Sequence, residues 1–253
     1  MGFSKGVKWR RKINMNFIKI PKRYVWIYNG NIDTLVVKYK NYRILYILSY
    51  ISFKKNMLGY SEFTIEEIIR SIGIKSKRIK KEVINTMIND LELLKENGFI
   101  KFFDGCDIYG NIKHTLQCDV NHKYETKDGK DINFMKLTNE SFIRFCNIDT
   151  TVNKYKLFSV YCYILARTIC YDYSDDMSIE LEINKKTFLE YIKILRQNGM
   201  ICYGNIGVVI NVKGNCEQAR NVYAIDQESF KNALTSSEKW YLDRGNVVCN
   251  KNN

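Results

Sequence analysis

The sequence predicts an α+β fold built from an internally duplicated unit, and three observations carry that prediction. Short segments recur in the same order in the two halves of the chain. Apolar spacing alternates between strand and helix periods. Each half also reaches the same helix-to-strand corner, Asn-Gly followed by two apolar residues. Asn16-Phe17-Ile18-Lys19-Ile20 returns as Asn133-Phe134-Met135-Lys136-Leu137, and Asn31-Ile32-Asp33-Thr34 as Asn147-Ile148-Asp149-Thr150. Lys38-Tyr39-Lys40 returns as Lys154-Tyr155-Lys156, and Leu93–Ile100 as Ile194–Ile201. The offsets are 117, 116, 116 and 101, so the first copy carries about fifteen extra residues between its first helix and its last. Two homologous domains are expected at 16–128 and 131–226. A basic arm, 1–15, precedes them, a polar linker lies within Glu125–Asp131, and a C-terminal helix and tail, 227–253, follows.

The elements follow in order. A short alternating strand opens each copy, through Phe17, Ile18 and Ile20 and through Phe134, Met135 and Leu137. An apolar helix comes next, Tyr42–Phe53 or Tyr155–Ile169. In the first copy a second helix is expected over Thr64–Ile72: Thr64 caps it, Glu66 and Glu67 suit its positive end, and Gly73 stops it. A third helix is expected from about Ser76 to Asn97, because Ile79, Val83, Met87, Leu91 and Leu94 fall on one helical face. Gly98 ends it, Phe99–Phe103 is a strand, and Lys113–Val120 returns as its partner. In the second copy Asn184 caps a helix Lys185–Asn198. Strands Met200–Tyr203 and Ile206–Lys213 are expected to form a hairpin around Gly204-Asn205, with Asn221–Ile225 added to it. Asp175–Ile183 reads two ways: its position calls for a helix, its alternation for a strand. Helix, helix, turn, helix and two-stranded hairpin is the winged-helix arrangement, so the expected architecture is two tandem winged-helix domains, each a helix-turn-helix with a β-hairpin wing.

Composition narrows the function. In 253 residues, 45% are hydrophobic and 13% aromatic, enough apolar surface for folded domains rather than a disordered chain. Forty Lys+Arg against 27 Asp+Glu leave +13, a balance that favours a polyanionic partner. The excess is lopsided. Residues 1–130 hold 25 basic and 13 acidic side chains, residues 131–253 hold 15 and 14. No apolar segment follows the basic residues near the start, no stretch has the length and composition of a membrane span, and the eight Cys form no CxxC pair. Those features lead us to expect a cytoplasmic protein with reduced thiols and no membrane partner.

Phosphate binding is therefore expected mainly in the first copy. The third helix there begins Lys75-Ser76-Lys77-Arg78-Ile79-Lys80-Lys81, and Lys77, Lys81 and Asn85 are spaced to share a face opposite the Ile79/Val83/Met87 stripe. Cations and an Asn in the first turns of a recognition helix suit a major groove. Lys101 and Lys113, in the wing, are expected on the DNA backbone. Arg10, Arg11 and Lys12, in the arm, are candidates for a minor groove. In the second copy Lys185 and Lys186 occupy the corresponding helix start amid Asp175, Asp176, Glu180, Glu182 and Glu190. The aromatic residues Tyr155, Phe158, Tyr161 and Tyr163 read as core, with a dimer contact as the other use of that face.

Catalytic chemistry finds little support. Cys106, His114, Cys118 and His122 are the residue types of a zinc site, but their spacing lacks a knuckle, and His114 and Cys118 fall four apart on an expected strand. Asp119 with Glu125-Thr126-Lys127 has the order of a metal-dependent nuclease site but crosses the expected linker. No phosphate-binding Gly-rich loop or Ser-His-Asp set is visible. No enzyme activity, cofactor or metal is expected.

The chain resembles the theta-type plasmid replication initiators of low-GC Gram-positive bacteria. The resemblance rests on the opening Phe17-Ile18-Lys19-Ile20-Pro21-Lys22, on the helix Tyr42–Phe53, on the turn-helix ending in Asn97-Gly98-Phe99-Ile100, and on the duplication itself, over about residues 16–226. The near-neutral second copy departs from that family. The resemblance implies binding to repeated or palindromic double-stranded DNA, no catalytic residues, a monomer–dimer equilibrium and contact with host replication proteins. The expected function is sequence-specific duplex DNA binding in the replication of a plasmid or other mobile element. A winged-helix transcriptional regulator and a protein-binding winged-helix adaptor are the alternatives.

Overall fold

The computed structural model describes residues 17–21, 42–75, 77, 79–120, 134–167 and 169–249. It is an α+β structure. Its first half contains β1 (Phe17–Pro21), α1 (Tyr42–Phe53), β2 (Ser61–Phe63), α2 (Ile65–Ser71), α3 (Lys81–Glu96), β3 (Ile100–Phe102) and β4 (Leu116–Val120). Its second half contains β5 (Phe134–Thr138), α4 (Asn139–Cys146), α5 (Lys154–Arg167), β6 (Ile169–Asp172), α6 (Ser174–Glu180), α7 (Lys185–Gln197) and β7 (Cys202–Gly204). It continues with β8 (Val208–Ile210), β9 (Cys216–Gln218), β10 (Asn221–Ala224), α8 (Gln227–Leu242) and β11 (Val247–Cys249).

Two antiparallel sheets have matching order. In the first half it is β2-β4-β3, in the second β6-β10-β7. In each, the strand before the short helix and the strand after the long helix lie at the edges, and a later strand enters between them. The opening strands pair with each other rather than with these sheets. β1 and β5 are antiparallel, with Phe17 opposite Thr138, Lys19 opposite Lys136 and Pro21 opposite Phe134. Lys136 is the residue 117 positions on that answers Lys19 in the recurrence, so the ribbon has a local two-fold axis through that pair. The apolar helices of the two halves, α1 and α5, also pack on each other.

Local chemistry explains these elements. α2 starts where Thr64 Oγ1 accepts the Glu67 amide at 3.1 Å and the Glu67 carboxylate accepts the Thr64 amide at 2.8 Å, a reciprocal capping box. α3 and α7 end alike. Gly98 and Gly199 adopt positive φ (70° and 64°), Phe99 and Met200 donate back to Leu94 and Leu195, and Asn97 and Asn198 donate Nδ2 to the carbonyls of Leu93 and Ile194. α1 and α5 are apolar on most sides because both are enclosed. Ile44, Tyr46, Ile47, Leu157, Phe158 and Ile164 are all buried.

One hydrophobic cluster runs through both halves. At its centre the Tyr46 ring lies 5.8 Å from Phe142, 5.5 Å from Tyr155 and 5.3 Å from Phe158, the last two edge-to-face. A smaller cluster of Val209, Ala219 and Tyr241 joins the β11-β8-β9 sheet to α8.

Several expectations need correction. Of the two readings of Asp175–Ile183 the helical one holds over Ser174–Glu180 and the strand does not, with Met177, Ser178 and Leu181 buried and Ile179 67% exposed. The alternation counted Ile179 as inward, and it points out. The apolar helix of the second half stops at Arg167, and Ile169–Asp172 is a strand paired with β10. The expected hairpin around Gly204-Asn205 does not form. β7 pairs with β10, while β8 joins β9 and β11. Asn205 is held instead by its own side chain, which accepts the Gly207 amide at 3.0 Å and donates to Asn221 at 2.9 Å, and Gly207 at φ 99° redirects the chain. Phe158, Tyr161 and Tyr163 are core residues, as expected, and Tyr155 is half-buried against them. All eight cysteines are free thiols. Among the described residues, no helix is long and apolar enough to cross a membrane.

Candidate nucleic-acid interface

The site is built where the chain turns from α2 into α3. α3 buries Met87, Ile88, Leu91 and Leu94, while Val83 and Ile84 are half-buried. Its exposed residues include Lys81, Glu82, Asn85, Asn89, Lys95 and Glu96, so Lys81 is the basic residue of its first turn and Lys95 that of its last. The helix begins at Lys81, later than the periodicity predicts. Lys80 is extended (φ −86°, ψ 156°) and no side chain caps the first turn. Crowded cations oppose the positive end of a helix dipole, which accounts for the late start, and Glu82 is the first residue with a favourable charge.

Lys75, Lys77 and Lys80 therefore stand on the connection ahead of the helix, and Lys77 does not share a helical face with Lys81 and Asn85 as expected. All five side chains are nonetheless exposed and close in sequence to one helix start. Lys75, Lys77, Lys80 and Lys81 form no ion pair with a described residue, whereas Lys54 is paired with Glu67 at 3.0 Å and Arg43 with Asp90 at 2.6 Å. Arg78 lies outside the described residues, as do Arg10, Arg11 and Lys12 of the arm. Uncapped amides, four unpaired ammonium groups and an exposed amide side chain make this a place suited to oxygen anions.

Lys101 stands on β3 and Lys113 in the loop between β3 and β4, both apart from the α3 start. The loop between β3 and β4 folds back: the Ile112 carbonyl accepts the Glu66 amide at 3.0 Å, and the Tyr109 hydroxyl bonds to Glu92. Lys113 is therefore beside the start of α2, and Lys75 follows its end, about 10 Å along the helix axis. Lys101 follows the far end of α3, a helix about 24 Å long, and faces Asp119 across the β3–β4 ladder. Both are exposed, but neither joins the cluster at the α3 start.

In the second half, Lys185 and Lys186 are exposed in the first turn of α7. Lys185 is paired with Asp175 at 2.7 Å, and Asp175, Asp176 and Glu182 are exposed around it. The corresponding helix start is therefore screened by carboxylates, and Lys186 alone of the two makes no ion pair with a described residue.

Cys106 and Cys118 are close, and each is engaged within the β2-β4-β3 region. Cys106 Sγ lies 3.4 Å from the Gln117 carbonyl and 3.3 Å from its amide, and burial pushes the Cys118 thiol up to about 12. His114 is exposed, and His122, Glu125 and Lys127 lie outside the described residues. Among the described residues no group of three or more Cys, His, Asp or Glu could hold a metal ion.

A second cationic place is formed by residues distant in the sequence. Arg220, Trp240 and Arg244 come together beside Tyr171 and Tyr173. The only signal in the sequence is the four-residue spacing of Trp240 and Arg244, which spans the end of α8. Arg220 arrives through tertiary packing.

No protein-family model, curated protein or solved structure matches this chain.

Proposed function

We propose that the protein binds duplex DNA sequence-specifically through two tandem winged-helix units and serves as a replication initiator of a plasmid or other mobile element. The observation that carries the DNA-binding reading is the run of exposed, unpaired Lys75, Lys77, Lys80 and Lys81 where the connection from α2 enters α3. The α2–turn–α3 order with the β2-β4-β3 sheet supports a helix-turn-helix with a wing strand pair, and the matching β6-β10-β7 order supports a second unit. In this reading the first turn of α3 enters the major groove, with Asn85 and Lys81 at base edges and Lys75, Lys77 and Lys80 on flanking phosphates. The second unit, with Lys185 tied to Asp175, sets spacing or meets host replication proteins rather than adding much charge. The recurrence of the opening strand, and its pairing about Lys19 and Lys136, supports two such units disposed about a local axis.

The test is salt-titrated binding of the full chain to a pool of random duplex DNA, with sequencing of the retained fraction. A recovered repeated or palindromic motif, with log affinity falling by about 0.9 per log salt for each phosphate neutralised, is the expected result. Retention with no motif, or no salt dependence, overturns it. Replication of an origin-bearing plasmid that depends on the protein then separates an initiator from a regulator of transcription.

A further inference from the structure

Between the end of the β6-β10-β7 sheet and α8 lies a cleft of about 370 Å³, lined by Tyr171, Arg220, Ser236, Ser237, Trp240 and Tyr241. Tyr171 and Trp240 are 41% and 42% exposed, so both rings are open to solvent. The Arg220 guanidinium lies 5.9 Å from the Trp240 ring centre and 5.7 Å from that of Tyr173, and Arg244 covers Trp240 at 3.8 Å. Neither arginine forms an ion pair with a described residue. The floor is fixed: Tyr241 is buried, its hydroxyl accepts the Arg220 amide at 3.1 Å, and Ser237 is buried beneath it.

Rings and guanidinium groups thus alternate along one open cleft. A bare phosphate would engage the arginines and leave the rings in water. An apolar peptide would cover the rings and desolvate two unpaired charges. A base carrying its phosphate satisfies both, and the volume admits one. Paired bases keep their faces inside the stack, so the base must be unpaired. Tyr173 and Arg244 continue the alternation past the lined cavity, as the repeating base and phosphate of a strand require. We propose that this cleft binds an unpaired nucleotide unit of single-stranded nucleic acid, its base stacked on Trp240 or Tyr171 and its phosphate held by Arg220 and Arg244. The inference does not depend on duplex binding by α3.

The experiment uses the full chain and a fluorescent oligothymidylate of about twelve nucleotides. Arg220→Ala with Arg244→Ala is expected to weaken its binding about tenfold, Trp240→Leu to weaken it similarly, and Trp240→Phe to preserve most of it. Lys77→Ala with Lys81→Ala is expected to spare the cleft's share of that binding, which separates this site from the duplex site. Iodouracil in the strand, photolysed on the wild-type protein, is expected to crosslink to Trp240 or Tyr171, and this arm decides if a variant loses its circular dichroism. If thymidine monophosphate displaces the strand at comparable concentration per nucleotide, the same chemistry holds and a free nucleotide is the source. Unchanged affinity in the folded arginine variant, crosslinks confined to other segments, or binding of an acidic aromatic peptide with none of the oligothymidylate overturns the proposal.

Discussion

Arg43 grips Asp90 through two donors, Nε to Oδ2 at 2.6 Å and Nη2 to Oδ1 at 3.2 Å, and so ties α1 to the middle of α3. Asp90 is 3% exposed. Nine residues at about 100° each place Asp90 about 180° around α3 from Lys81, so the ion pair braces the helix from behind its basic end. The hydrogen bond to Asp90 also holds the Arg43 guanidinium above its ordinary pKa. Asp90→Ala removes the acceptor and leaves part of a charge facing the core. The expected loss is about 1–3 kcal/mol, less than for a fully buried pair because Arg43 is partly exposed. Urea melts measure it, and an unchanged midpoint would show the brace to be dispensable.

The basic end itself is expected to behave in the opposite way. Lys77→Ala with Lys81→Ala removes two exposed, unpaired charges, so the melting midpoint stays within about 0.5 kcal/mol of wild type. Duplex affinity at low salt falls about tenfold or more, and the salt slope drops by about 2. Fluorescence anisotropy across a salt series reads both quantities. Lys101→Ala and Lys113→Ala, away from the α3 start, are expected to change either far less.

That contrast shows what could be read from the residues and what could not. The α3 core stripe and the Asn97-Gly98 corner were legible because a helical period and a left-handed cap are local properties. Thr64 and Glu67 announced α2 for the same reason. The start of α3 was not legible: apolar spacing continued back through Ile79, while the energetic cost of lysines at a helix N-terminus decided the boundary. The fate of Gly204-Asn205 was set by a distant residue, Asn221, and Ile179 looked inward until tertiary packing turned it out. Arg220 and Trp240, twenty residues apart in sequence, could be joined only by the fold.

The capping box should make the stability of α2 depend on pH. Burial raises the Glu67 pKa, but the hydrogen bonds from Lys54 and from the Thr64 amide outweigh it and leave it below the ordinary carboxylate value. A depressed folded-state pKa means stability present above the unfolded value of about 4.3, lost as pH falls through the folded one. Glu67→Gln is expected to flatten this part of the acid limb in urea titrations. Thr64→Ala is expected to cost about 1 kcal/mol at neutral pH. An acid limb of equal steepness in Glu67→Gln would assign the loss to other carboxylates.

Alkaline behaviour carries the opposite sign. Burial is the main cause that pushes up the phenols of Tyr46, Tyr155 and Tyr223, and Tyr161 is held at about 12. Their unfolded counterparts ionise near about 10. The stability they contribute is complete below that value and is lost as pH rises toward the folded values. Phenolate absorbance is expected to rise in two stages, exposed tyrosines first and these together with the loss of helical circular dichroism. Smooth ionisation without loss of structure would place these rings in contact with water.

Asp175 offers a gain-of-function test of the second half. Its carboxylate holds Lys185 at 2.7 Å, and both side chains are more than half exposed, so the pair adds little to stability. Asp175→Asn removes the ion-pair charge and leaves Lys185 free beside Lys186 at the start of α7. If this helix start approaches the same duplex as α3, affinity rises by about twofold to fivefold and the salt slope steepens by up to about 1. Lys185→Ala in the same background should cancel the gain. If Asp175→Asn leaves affinity and slope unaltered while Lys77→Ala with Lys81→Ala abolishes binding, α7 does not touch the duplex, and the second half is left to protein contacts.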